Sequence, residues 1–210
     1  MKNQDLSGQQ IVQQRFATAG HAAAFTSTQL LDHLNVNMQE FITRQDLLFI
    51  ATSNATGSCD CSFRAGQPGF VHVLSAKQLA IPEYRGNGVF ASLGNIVENP
   101  NIGIMFLDLY HSTIGLHVNG QARVLNPEEM RLIPNVPSSI FESSDPKSIR
   151  CLEAWILVDV KEAFIHCSKH VPLMKRLDKQ IAWGSDEESV KGGDYFGVRA
   201  EAKLGKGTTR

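Results

Sequence analysis

Two arginines, a cluster of glycines and a scatter of hydroxyl and amide side chains hold the clearest chemistry in this chain. Residues 84 to 95, YRGNGVFASLGN, place Tyr84, Arg85, Gly86, Asn87, Gly88, Ser92, Gly94 and Asn95 where a strand runs out into a helical segment. A helix N-terminus offers unpaired backbone N–H groups and a partial positive charge. Glycine lets an anion approach the backbone, and arginine adds a forked donor. That set suits a phosphate group, although a polar turn that only caps a helix uses the same residue types. Arg64 ends the polar run CDCSFR just before the tight bend AGQPGF. From that rim it can reach an anion held by a neighbouring strand, or form an ordinary ion pair.

Other reactive side chains are fewer. The run HCSK puts His166, Cys167, Ser168 and Lys169 at the end of the last apolar stretch. Adjacent strand residues point to opposite faces, which argues against His166 and Cys167 as a nucleophile pair. His117 lies on the polar side of its strand, where it can donate a proton or serve as a hydrogen-bonded surface group. Of the four cysteines, Cys59, Cys61, Cys151 and Cys167, only the first two form a close pair. A structural zinc site wants two spaced pairs, so free thiols and no metal are expected. RGNGVFASLG does not satisfy G-x-G-x-x-G, and no Walker motif occurs.

The elements that must position these groups follow from periodicity. Thr28 before QLLDHL, and Asn37 with Glu40 before FITRQ, predict two short helices across 28 to 45. Segments at 47–52, 59–65, 70–74, 78–82, 101–108, 113–125 and 151–167, mostly apolar or alternating and separated by Gly, Pro and Asn turns, read as strands. Within 113–125, Ile114, Leu116, Val118, Ala122 and Val124 share one face, and His117, Asn119, Gln121 and Arg123 share the other. Asn126 caps a short helical PEEMRLI, a Pro/Ser-rich loop covers 134–148, and a further short helix is expected at 169–181. No βαβ rhythm or repeat is present, so the expected class is mainly β with α: a small antiparallel barrel with flanking helices. The expected organisation is a flexible extension at 1–27, one domain at 28–183, and a flexible or partner-draped tail at 184–210.

Composition limits the function. The 210 residues are 42% hydrophobic, and 20 Lys+Arg against 21 Asp+Glu leave a net charge of -1, which supplies no basic field for nucleic acid. No apolar stretch reaches a membrane span of roughly 18 to 20 residues, and no basic segment leads into an apolar one at the N-terminus. A cytoplasmic protein without membrane or nucleic-acid partners is expected.

Taken in order, FITRQDLLFIATSNATG, FRAGQPGFVHVL, AIPEYRGNGVFASLGNIVENPNIGIMFLD, VNGQARV and AFIHCSKH resemble the pyridoxamine 5'-phosphate oxidase-like family of FMN-binding split barrels, across about residues 40 to 170. The resemblance implies a six-stranded antiparallel split β-barrel that forms a homodimer, with FMN in clefts at the subunit interface. It implies that Arg64 is the strand arginine of the cofactor site, that Tyr84, Arg85, Asn87, Ser92 and Asn95 follow in the turn and helix, and that Gln121 faces the cofactor from a later strand. HCSK looks like a mark of one branch of the family. There Lys169 is the candidate catalytic cation, stabilising negative charge on the flavin pyrimidine ring upon reduction. Two family features are missing: the C-terminal Arg/Trp/His-rich segment has no match in LMKRLDKQIAWGSDEESVKGGDYFGVR, and FASLGN replaces the Ser-Arg-Lys triplet. Vitamin B6 oxidation is therefore not expected. The implied activity is an FMN-dependent oxidoreductase that passes electrons from NADH, NADPH or a small substrate to a small acceptor. The alternative is a flavin- or haem-binding protein without turnover.

Overall fold

Alternation of apolar and polar residues builds one antiparallel sheet in the computed structural model, which describes residues 6–134, 136–141, 152–182, 187 and 190–205. Its strands are β1 (Leu47–Ser53), β2 (Cys59–Ala65), β3 (His72–Ser75), β4 (Gln78–Tyr84), β5 (Asn101–Leu107), β6 (Gly115–Leu125) and β7 (Leu152–His166). They lie in the order β2-β1-β5-β6-β7-β4-β3. The sheet curls until Arg64 of β2 meets Glu83 of β4, whose neighbours in the sheet are β7 and β3. This is the α+β split barrel expected, with seven strands in place of six. β3 has only four residues and, among the described strands, pairs with β4 alone.

Register sorts the side chains into an inside and an outside. Leu48, Ile50 and Thr52 of β1, Ile102, Ile104 and Phe106 of β5, and Leu116, Val118 and Ala122 of β6 are all buried. On β7, Ile156, Val158 and Val160 join this main core, while Trp155 and Leu157 pack in a second cluster with Ala80 and Met130. The apolar run WILV thus lacks strict alternation because both faces of β7 are covered. A register shift at Asn119/Gly120 of β6 lets Lys161 bulge from β7.

Helices flank the sheet. α1 (Gly8–Arg15) begins with a capping box between Ser7 and Gln10, and α2 (Ala19–Gln29) follows, crossing the boundary expected at 27/28; neither buries a residue. Thr28 does not start a helix: it lies in α2, and its hydroxyl donates to Ala24 O at 2.8 Å. The next residues turn extended because Leu31 and Ala163 exchange backbone hydrogen bonds of 3.0 and 2.8 Å. α3 (Val36–Thr43) is capped by Asn35, which accepts from Met38 N, and not by Asn37. α4 (Ala91–Glu98) packs its Leu93 and Ile96 into the main core, and α5 (Pro127–Arg131) carries Met130 into the second.

No helix forms at 169–181 beyond a 3-10 turn at Ser168–His170. Met174 N donates to Leu109 O at 2.7 Å, and Arg176 pairs with Asp46 and stacks on Tyr110, which holds the segment irregular. α6 (Val198–Gly205) lies within the C-terminal segment. Cys151 and most of the loop expected at 134–148 fall outside the described residues. Among the described residues, no helix is long and apolar enough to cross a membrane.

Candidate functional site

The site grows from strand alternation. On β2, Asp60, Ser62 and Arg64 recur at every second residue and turn inward, while Cys59, Cys61 and Phe63 turn out and are exposed. Opposite them stands Glu83 on β4, followed by the turn Gly86 to Phe90 and the first turn of α4. Together these elements enclose a cleft of about 320 Å³, lined by Asp60, Ser62, Arg64, Glu83, residues 86 to 91 and Ser92.

The turn is built for close backbone approach. Gly88 has φ of 75°, a left-handed conformation that favours glycine, and Asn87 Oδ1 accepts from Val89 N at 3.0 Å. Phe90 also sits in the left-handed region, with φ of 53° and ψ of 33°, a strain of about 1–2 kcal/mol for a residue with a Cβ. As N-cap it offers no side-chain acceptor, so the first-turn N–H groups of α4 have no side-chain cap. The helix dipole adds positive potential at this point of the cleft.

Polar side chains in the cleft are bonded to one another. Arg64 donates from Nε to Glu83 Oε2 at 2.7 Å, and from one Nη to Ser62 Oγ at 2.6 Å and Phe63 O at 3.0 Å. Both partners of this ion pair are well covered, with side chains 17% and 12% exposed. Ser92, itself buried, donates its hydroxyl to Asp60 Oδ2 at 2.7 Å. Burial pushes the Glu83 carboxyl above its ordinary range; Arg64 opposes that shift and the nearby Glu153 charge adds to it.

The structure brings Arg64, Asn87 and Ser92 together and leaves the other expected site residues elsewhere. Arg85 leans outward, donating from Nε to Glu153 Oε1 at 3.3 Å, and does not line the cleft. Tyr84 ends β4 half-buried opposite Leu152. Asn95 donates to Thr52 Oγ1 at 3.1 Å and so fastens α4 to β1. Gln121 lies in a different hollow, an open groove of about 590 Å³ on the outer face. Ala51, Ser53, Cys59, Asn101, Gly103 and Asn119 also line this groove. Lys169 sits in the exposed 3-10 turn, where its N–H donates to Cys167 Sγ at 3.4 Å, and it lines neither hollow.

Sequence reasoning did not single out Asp60, Ser62 and Glu83. A signal was present, since Asp60, Ser62 and Arg64 share one side of a strand by period two, as Glu83 does with the buried Leu79 and Ile81. On the outer face His117 Nε2 lies 3.0 Å from His166 Nδ1, and the His117 ring stacks on Phe164. Burial first, and the neighbouring His166 second, hold His117 below the usual histidine range.

Comparison with known proteins now adds to this geometry. The chain belongs to the pyridoxamine 5'-phosphate oxidase family, whose sequence profile matches residues 34–150. Among solved structures it is similar to HupZ from Group A Streptococcus, with 18% identity, a TM-score of 0.45, and coverage of 63% of this chain and 93% of that one. It is also similar to a Clostridium acetobutylicum protein related to general stress protein 26, of the pyridoxinephosphate oxidase family. Identity there is 13%, the TM-score is 0.40, and coverage is 62% of this chain and 86% of that one. No curated protein matches the chain.

Proposed function

We propose that this chain is an FMN-binding oxidoreductase and that the cleft between β2, β4 and α4 holds the FMN phosphate. One observation carries the reading: an inward arginine, a buried serine and a side-chain-uncapped helix start meet around a glycine turn in one cleft. The fit to a phosphate is chemical. Arg64 keeps a second Nη with no protein acceptor among the described residues, the Asn87 amide lines the cleft, and the turn around Gly88 brings bare backbone to it. When bound, FMN supplies hydride acceptance and release. This chain's part is to hold and orient it through Arg64, Asn87 and Ser92.

Arg64 and Gln121 lie in separate hollows of one chain, so a cofactor shared within a homodimer can draw on both, and two copies are part of the proposal. Lys169 is proposed as the cation that stabilises charge on the reduced ring. Lys169→Ala then lowers the flavin reduction potential while FMN stays bound, and an unchanged potential in a redox titration removes Lys169 from the role. Tyr84, Arg85 and Asn95 support the turn and α4 in this reading.

The experiment begins with purified protein supplied with excess FMN and freed of unbound flavin. Protein that stays colourless refutes the cofactor assignment. Anaerobic mixing of the yellow protein with NADH or NADPH tests turnover: bleaching supports the oxidoreductase, and colour that persists with both donors leaves a binding protein without nicotinamide-driven turnover.

A further inference from the structure

The cleft proposed for phosphate contains more acid than base. Asp60, Glu83 and Arg64 line it, and each carboxylate already occupies a group that an incoming anion would use. Glu83 takes Arg64 Nε and Asp60 takes the Ser92 hydroxyl, at 2.7 Å in both cases. A dianionic phosphate beside Arg64 therefore arrives next to a carboxylate that shares the same cation. Two anions on one cation in a poorly solvated site repel each other unless one is neutralised.

Among the described residues, the charged groups around Glu83 come from β2, β7 and the segment after β4. From β2 come Arg64, in direct contact, and Asp60, across the cleft. From β7 comes Glu153, whose Oε2 is buried with no hydrogen-bond partner among the described residues and whose Oε1 accepts from Arg85, which follows β4. The turn at 86–90 and the cleft-lining start of α4 add dipoles, with no titratable side chain. Glu83 is the well-covered acid in direct contact with the cation that phosphate would use, and burial together with the Glu153 charge raises its carboxyl above the ordinary range against the opposing pull of Arg64.

We infer that Glu83 is the positioning residue for Arg64 and that a phosphoryl group binding beside Arg64 draws one proton from solvent onto Glu83, so the cleft loads more tightly as pH falls. A neutral Glu83 still accepts the Arg64 Nε hydrogen bond through its carbonyl oxygen and keeps the guanidinium aimed, while it no longer competes for the charge. This inference rests on the cleft being the FMN site.

The test compares FMN with riboflavin, which lacks the phosphate. Both affinities are measured by flavin fluorescence between about pH 6.5 and 8.5, a window that stays above the phosphate's own ionisation near pH 6. Binding calorimetry in two buffers of different ionisation heat counts the protons. FMN affinity is expected to rise up to about tenfold per unit fall in pH with proton uptake approaching one, while riboflavin stays flat. Glu83→Gln keeps the acceptor and removes the charge, so its FMN profile is expected to be flat with no uptake. Glu153→Gln is expected to shift the wild-type profile to lower pH.

Equal slopes for the two flavins, zero uptake in the wild type, or a slope that survives in Glu83→Gln each overturn the inference. If neither flavin binds at any pH, the FMN reading itself falls, and the inference with it. FMN binding with a flat profile overturns the inference and leaves the FMN reading standing.

Discussion

β2 divides two hollows that differ in chemistry. Its inward residues Asp60, Ser62 and Arg64 look into a narrow cleft of ion pairs and short hydrogen bonds. Its outward Cys59 borders a wide groove of small and neutral residues, Ala51, Ser53, Gly103, Asn119 and Gln121, with Lys161 and Glu162 at one side. On β2 itself, Cys59 and Asp60 are adjacent in sequence and turn to opposite faces, one towards each hollow. Alternation thus puts the charged side chains of β2 on the cleft side, while the groove is lined mostly by small and neutral residues.

The largest expected effect distinguishes the groove's architecture from its chemistry. At Gly120, which lines the groove, an added Cβ would run into the Asp159 carbonyl oxygen on the neighbouring strand. Gly120→Ala is expected to lower folding stability by about 2–3 kcal/mol in chemical denaturation, with FMN affinity of the folded fraction little changed. Comparable loss of FMN affinity would join the two hollows energetically.

Next comes the cleft's charge. Arg64→Ala is expected to weaken FMN by about 1.5–3 kcal/mol, roughly tenfold to 150-fold, because it removes charge-assisted bonds to phosphate. Arg85→Ala should cost less than about threefold, since Arg85 turns towards Glu153 outside the cleft. Equal losses would show that Arg85 swings inward on binding. Ser92→Ala takes the Ser92 hydroxyl from Asp60 and, on the proposed reading, from the phosphate; a loss of about 1 kcal/mol in both stability and FMN binding is expected.

Gln121→Ala is expected to be as small as Arg85→Ala, changing FMN affinity by no more than about threefold when measured alongside Arg64→Ala. A larger loss would place the flavin ring, rather than the phosphate, in charge of affinity and would move the weight of binding from the cleft to the groove.

Much of this was legible in the residues. All seven expected strand segments became strands, the polar side of β6 faces out as alternation demands, and the YRGNG turn leads into α4. Helix limits were harder to read at 28–35 and 169–181, where backbone pairing of Leu31 with Ala163 and of Met174 with Leu109 overrode local helix signals. The site residues divided in the same way. Arg64, Asn87 and Ser92 announced themselves by type, whereas Glu83 and Asp60 looked like ordinary surface acids because their partners lie 19 and 32 residues away.

Residue order alone determined the strands, the glycine turn and the face each side chain takes, because these depend on backbone preferences and a period of two. Only the tertiary structure decided that Arg64 faces a carboxylate, that Arg85 turns from the cleft and that Gln121 lies in another hollow. Those outcomes depend on how the sheet curls to bring β2 against β4. That curl is set by the packing of the whole core, which no local stretch of sequence encodes.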